Sequence, residues 1–526
     1  MISSGKEESS SVNKVRLMNE KGKAYSRRKF IKKAGLTAAA LPLVASGTIP
    51  FSETKKERRA VRIPGAGTPN IIYILSDDHR YDFMGFMGKP KFLNTPSLDK
   101  MARDGAHLQN AFVTTSLCSP SRASILTGMY SHKHGVVDND SLVPADNVFF
   151  PRYLQQVGYE TAFMGKWHMG SESDEPGKSF DKWISFKGQG VYYDPLMNID
   201  GSHVQRKGYI TDILTDYAVE YIKEKSSAAE QKKKPFFLYL SHKAVHAMFE
   251  PAERHKGKYD NVKIDYPDTM ANTKENYADK PRWVEAQRYG WHGVDYLYQG
   301  QLEFDEFYRK YCETILALDE GIGAVLDALT ETGLDKNTVV FYMSDNGFSL
   351  GEHGLIDKRQ MYEESMRIPL IAYAPGLITP STKISELVQN IDIAPTILEL
   401  AGIKTPGDMD GRSFLPLLKG EAADWRDRVF YEYFWERPFP HTPTVFGVRT
   451  NKYKYMTFWG IWDVDELYDI ENDPEEKHNL IKSPEHQELI KDLNQRVYAW
   501  LEATGGMQIP LKKDIFWRAD KRKPGH

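Results

Sequence analysis

The chain has 526 residues, 41% hydrophobic and 27% charged, with a formal net charge of −3. That length allows a large core domain and a smaller companion, and the near-neutral balance supplies no global field to draw nucleic acid or an anionic membrane. With only two cysteines, Cys118 and Cys312, a disulfide framework is excluded.

Residues 1–25 are polar, a composition that does not favour a packed core. Ser26-Arg27-Arg28-Lys29-Phe30-Ile31-Lys32 then resembles a twin-arginine export signal. The apolar run over 34–44 is too short to span a bilayer, and Ala45, Ser46 and Gly47 after it are small residues suited to cleavage. A basic tail ahead of a buried helix is the rival reading. The expectation is a protein exported to the periplasm or beyond by the twin-arginine machinery. Residues 1–47 are then extension and signal and 48–69 a linker, with no transmembrane segment in the mature chain.

From residue 70 strand and helix alternate. Asn70-Ile71-Ile72-Tyr73-Ile74-Leu75 is a continuous apolar run, as in a strand buried on both faces. Thr95 followed by Pro96 opens a helix. A helix near Leu154 precedes a strand over 160–164, and a third strand covers 235–240. Residues 311–329 carry apolar side chains at helical spacing. Strands follow over 338–343 and 368–373. This order predicts a doubly wound α/β fold, a mixed or parallel sheet with helices on both faces, over residues 70–405. The stretch 254–298, rich in Tyr, Trp, Asp and Lys, reads as an irregular insertion.

Over 406–526 the pattern changes to short strands at 429–433, 445–449 and 453–458 and a last helix over about 484–503. These predict a smaller C-terminal α+β subdomain with an antiparallel sheet.

The polar residues fall where four buried strands end. The first strand runs into Asp77 and Asp78, the second into Lys166 and His168, the third into His242 and His246, the fourth into Asp345 and Asn346. Ligands of open α/β sheets bind beyond the carboxyl ends of the strands, so distant segments converge on one rim. Asp77, Asp78, Asp345 and Asn346 make a hard-oxygen set suited to Ca²⁺ ahead of Mg²⁺. Taken singly, Asp-Asp after a strand also reads as a cap, Asp-Asn-Gly as a turn, and Lys166-Trp167-His168 as a surface strand end.

Cys118-Ser119-Pro120-Ser121-Arg122 places a cysteine where a turn enters a helix, with Pro120 suited to the first turn and Arg122 one turn on. A helix start favours anions. The motif alone fits a buried structural cysteine equally well. Extended by Ala123-Ser124-Ile125-Leu126-Thr127-Gly128, it resembles the signature of the formylglycine-dependent sulfatases, members of the alkaline phosphatase-like superfamily. The resemblance runs over about 70–480 and extends to the bacterial polysaccharide sulfatases.

The resemblance implies that Cys118 is oxidised to formylglycine (3-oxoalanine) by a sulfatase-maturating enzyme. It implies a metal, Ca²⁺, held by Asp77, Asp78, Asp345, Asn346 and the modified Cys118. Arg122, Lys166 and Lys358 would hold sulfate, His168 would serve the formylglycine hydrate, and His246 would protonate the departing sugar oxygen. The expected substrate is a sulfated carbohydrate, and the 12% aromatic content suits a sugar-binding surface. His79, Arg80, Trp291, His292, Arg359 and His441 are the candidates for substrate contacts, and the stretches 254–298 and 435–441 for the subsites. Two alternatives stay open: a phosphate or phosphonate ester hydrolase on the same fold, and a catalytically silent glycan-binding relative.

Overall fold

Alternation along the strands builds the two cores. In the strand Asn70–Ser76 every residue is buried. Ile71, Tyr73 and Leu75 point into one hydrophobic cluster, and Ile72 and Ile74 into another, as the two-residue period of a strand dictates. A sheet buried on both faces requires such an unbroken apolar run. The computed structural model describes residues 68–510, without 171–172, 176, 228–233, 290–296, 299, 301 and 422–423. The basic and apolar N-terminal segment read as an export signal lies outside the described residues.

The strand Thr338–Ser344 pairs in parallel with Asn70–Ser76, which pairs in parallel with Phe236–Ser241. Glu160–Lys166 follows, parallel again, then Lys182–Phe186. On one flank Leu370–Tyr373 runs antiparallel to Thr338–Ser344 and to Ala106–Phe112. On the other, Leu196–Ile199 and Ser202–Gln205 add antiparallel strands. The result is a mixed, 11-stranded sheet with a parallel centre.

The helix Cys118–Thr127 lies on one face, with every residue buried. It stops at Gly128, whose φ of 69° permits a left-handed cap, with its N–H donating to the Ser124 carbonyl. On the other face the helices Ile210–Ser227 and Phe304–Glu331 contribute Leu214, Ile222, Ile315 and Ile322 to the second cluster. Each such fully buried aliphatic side chain contributes about 1.5–3 kcal/mol.

The C-terminal region holds a four-stranded antiparallel sheet, Arg428–Tyr433, Thr444–Thr450, Tyr453–Trp459 and Glu466–Asp469, and the helix Gln487–Thr504. Val429, Tyr431 and Val445 enter the same hydrophobic cluster as Ile71 and Ile125.

The structure also shows what the sequence reading left out. Ala106–Phe112, Lys182–Phe186, Leu196–Ile199 and Thr382–Gln389 are strands. None carries a long apolar run; the burial of Thr382–Gln389 is irregular, and its register shifts between Ile384 and Leu387. The long helix begins at Phe304 rather than at Tyr311, its first turn carrying Asp305 and Glu306. Stretch 254–298 contains the short helices Lys274–Tyr277 and Arg282–Tyr289.

Candidate active site

Because the central strands are parallel, their carboxyl ends share one edge. The backbone stitches that edge together. Asp77 N–H donates to the Ala244 carbonyl at 2.9 Å, Val245 N–H to Asp77 at 2.7 Å, and Asp345 N–H to Ser76 at 3.1 Å. Gly165 allows the neighbouring strand end to approach. A Cβ there would stand 1.7 Å from the Ser241 carbonyl oxygen, so Lys166 reaches the rim only beside a glycine.

Asp77, Asp78 and Asp345 are fully buried and offer carboxylate oxygens that all lie within 4.8 Å of one another. Asn346 joins them through Nδ2, which donates to Asp78 Oδ1 at 2.6 Å. Its buried Oδ1 has no hydrogen-bonding partner. Three carboxylates and one orphaned amide oxygen form the donor chemistry a hard divalent cation takes.

Cations surround these acids. Arg122 spans two of them, Nη2 standing 3.1 Å from Asp77 and 2.8 Å from Asp345. Its Nη1 donates to the Lys166 carbonyl at 2.8 Å and to Ser241 Oγ at 2.7 Å. Lys166 Nζ donates to Asp77 Oδ2, and Lys358 Nζ to both oxygens of Asp78. Burial opposes ionisation of Asp77, yet Lys166, His246 and Arg122 hold its carboxyl well below the ordinary range. Asp78 goes the other way. Burial, with Asp77 and Asp345 adding to it, outweighs Lys358 and pushes it up to about 7.

Cys118, the first residue of its helix, faces this group. Its Sγ lies 3.5 Å from Asp77 Oδ1 and 3.9 Å from Lys166 Nζ. Burial, then the Asp77 charge, pushes the thiol far up. His168 has a φ of 47° and its carbonyl accepts from Ser119 Oγ at 2.6 Å. That places its ring at the same helix start, with Nδ1 buried and unpartnered. His246 is partly exposed, with Nε2 at 4.0 Å from Asp78 Oδ2. Burial, then Lys166, lowers both imidazoles, with Arg122 next for His168 and Lys358 next for His246.

The structure therefore gathers Asp77, Asp78, Cys118, Arg122, Lys166, His168, His246, Asp345, Asn346 and Lys358 at one rim. The sequence of the sulfatase family matches residues 69–403. The chain belongs to that family, and it is a sulfuric ester hydrolase. A second match, to the family described as N-sulphoglucosamine sulphohydrolase, C-terminal, covers 351–502. The chain is 34% identical to the N-acetylglucosamine-6-O-sulfatase of Bacteroides thetaiotaomicron, across 94% of this chain and 95% of that protein. It is 28% identical to the human N-acetylglucosamine-6-sulfatase, across 87% and 89%. A solved structure of a protein bound to its substrate D-glucosamine-2-N,6-O-disulfate superposes with a TM-score of 0.74 at 32% identity. That match covers 84% of this chain and 99% of that one.

The candidates for sugar contacts in this sulfatase fare differently. His79 is fully buried, with Nδ1 against Tyr342 Oη and Nε2 2.7 Å from the Phe83 carbonyl. Arg80 is buried between Asp82 and Glu352. Arg359 is buried with Asp357 and Glu436, under the Phe439 ring at 3.5 Å. These three side chains are engaged inside the protein. His441 is exposed, and Trp291 and His292 lie outside the described residues.

Other residues joined the rim without being foreseen. Ser241 anchors Arg122, and its position as the last residue of a buried strand was the available signal. Gln189 Nε2 stands 3.4 Å from His168 Nε2, and Tyr192 Oη donates to the His246 carbonyl at 2.7 Å. Both come from the loop after Lys182–Phe186, and nothing in their sequence context marks them.

Proposed function

We propose that this sulfatase removes 6-O-sulfate from glucosamine or N-acetylglucosamine units of a glycan, using formylglycine made from Cys118 and a bound Ca²⁺. The observation that carries the reading is the position of Cys118. It sits buried at a helix start, 3.5 Å from Asp77 and 3.9 Å from Lys166, where burial and the Asp77 charge disfavour the thiolate. The relatives named for N-acetylglucosamine 6-sulfate, and the fold match bound to a 6-O-sulfated glucosamine, support the substrate class.

Oxidised and hydrated, position 118 would supply two hydroxyls, one to attack sulfur and one whose deprotonation breaks the bond to sulfate. A Ca²⁺ held by Asp77, Asp78, Asp345 and Asn346 would supply positive charge against the sulfate. The remaining work falls to side chains. Arg122, Lys166 and Lys358 orient the sulfate oxygens and offset charge that develops on them. His246, the partly exposed histidine, takes up a proton favoured by the negative charge of the bound sulfate and gives it to the departing sugar oxygen. His168, beside the helix start, takes the proton that lets sulfate leave.

Export through the twin-arginine route belongs to the same reading. It is supported by the Arg27-Arg28 motif and the apolar run behind it. No helix among the described residues is long and apolar enough to cross a membrane.

The test is sulfate release from defined oligosaccharides. Glucosamine 6-O-sulfates should be desulfated, with the product mass lower by one sulfate, while galactosamine 4-O-sulfates and phosphate or phosphonate esters are poor substrates. Faster turnover of a phosphonate ester than of any sulfated sugar would overturn the assignment.

A further inference from the structure

A second group of buried titratable side chains is separate from the set gathered at the rim. His353 has a φ of 56° and its ring stacks on Tyr362 with centroids 4.0 Å apart. It is 1% exposed. Neither Nδ1 nor Nε2 meets a hydrogen-bonding partner. An imidazole with both nitrogens buried and unpaired is costly. Glu364 and Glu476, both buried, face it. One nitrogen of His353 and one oxygen of each acid lie within 4.8 Å of one another.

Glu364 Oε2 is also without a partner. Glu476 accepts from Glu363 N–H at 2.8 Å and stands 2.8 Å from Lys454 Nζ. Burial, then Glu352, outweighs Arg80 and pushes the Glu364 carboxyl up to about 8. Burial, then Lys280 and Lys454, lowers His353 from its ordinary value.

A route to the cluster exists. A cleft of about 200 Å³ reaches Glu364 and Glu352 from the surface, and Asp265, Asp268 and Glu475 line it too, against a single lysine, Lys89. Such a wall concentrates cations.

We propose that His353, Glu364 and Glu476 form a second metal site, distinct from the rim carboxylates, that takes a divalent transition ion of the zinc class. One imidazole nitrogen and two carboxylate oxygens are the zinc donor set rather than the all-oxygen set of calcium. Two ligands, His353 and Glu364, bracket Lys358 in the sequence, and the third comes from the C-terminal region. The ion therefore staples the loop that carries Lys358 to that region.

The experiment reads metal content, so it is independent of the substrate assignment. The full-length protein is equilibrated with excess Ca²⁺ and limiting Zn²⁺, freed of loose ions, and analysed by plasma mass spectrometry and zinc X-ray absorption. The expected result is about one zinc per chain, with an imidazole in its shell. His353→Asn, chosen because asparagine tolerates positive φ, and Glu364→Gln should each lose the zinc, while Asp345→Ala keeps it. No zinc in the wild type, as when a buried water bridges these groups, overturns the proposal. So does zinc retained by folded His353→Asn, or zinc lost only in Asp345→Ala. The rim also offers an imidazole, His246 with Asp77 and Cys118, so if the variants fail to fold, zinc with an imidazole in its shell retained by His246→Ala supports the proposal and its loss there overturns it.

Discussion

Lys358 Nζ stands 2.6 Å from each carboxylate oxygen of Asp78. The pair joins the loop after the short strand Ile356–Asp357 to the first strand end, and it places a cation against a group read as a metal ligand. Burial would lower the lysine, but Asp78 and its neighbours outweigh it and favour the charged form. Lys358→Ala should therefore lower kcat/KM on a sulfated sugar by about 10²–10³-fold, the scale of losing one preorganised charge. It should also weaken inhibition by free sulfate. A steady-state comparison with product inhibition checks both, and unchanged sulfate inhibition would place Lys358 outside the binding of the anion.

Cys118 should be found converted. Intact-protein mass from a host with a maturating enzyme should run roughly 18 Da below the thiol form. Cys118→Ala should abolish turnover while leaving the circular dichroism spectrum unchanged, since only a small side chain at a helix start is altered. Wild-type rates in that variant would end the formylglycine mechanism.

Asp345 carries two loads, holding Arg122 at 2.8 Å and accepting from Asp78 N–H at 3.2 Å. Asp345→Ala removes one of three carboxylates from a hard-cation set and leaves Arg122 short of a partner. Calcium content by elemental analysis and activity should fall together. Full activity in protein stripped of divalent metal would refute the calcium assignment.

How much of this was legible in the sequence follows from where the information lies. The rim was readable because buried parallel strands show as apolar runs, and the residue after each run must lie at the carboxyl edge. Asp77, Lys166, His242 and Asp345 all follow from that rule. Side-chain direction was not readable. His79 and Arg80 adjoin the acids in sequence but turn inward, His79 to Tyr342 and Arg80 to Glu352, partners more than two hundred and fifty residues away as 263 and 272 positions. Arg359 is diverted by Glu436 from the C-terminal region. Gln189 and Tyr192 arrive through loop geometry alone. Flank strands such as Ala106–Phe112, with His107, Gln109 and Asn110 among its seven residues, lack the apolar run that revealed the centre.

His132 gives a pH-dependent tie between the catalytic face and the C-terminal sheet. Its Nδ1 lies 2.7 Å from Glu432 Oε2, and its ring packs between Tyr130 and Trp500. Burial lowers the imidazole, but the hydrogen bond and charge of Glu432 outweigh it and leave the folded value raised. A raised folded value favours the protonated native state. The stabilisation is complete below the unfolded value of about 6.5 and is lost as pH rises through the folded value. The denaturant midpoint of the wild type should exceed that of His132→Gln by more at about pH 5.5 than at about pH 9. A gap that stays constant across that range would show that the ring stabilises by packing alone.

The sharpest test of the chemistry separates the two site histidines by leaving group. A sugar alkoxide needs a proton as it departs, and a nitrophenolate does not. His246 is partly exposed with Nε2 4.0 Å from Asp78, whereas His168 is buried beside the Cys118 helix start. His246→Ala should cost about 10²–10⁴-fold on a sulfated sugar, the range of general acid catalysis, and far less on an activated aryl sulfate. His168→Ala should slow both substrates alike where release of sulfate limits turnover. The comparison requires a wild type that turns over both, and kcat/KM and kcat are measured for each pair. Equal losses on sugar and aryl sulfate in His246→Ala would remove the acid role and leave that histidine to sulfate binding. A loss confined to the sugar would identify His246 as the donor to the leaving oxygen, because only that substrate's leaving group needs the proton.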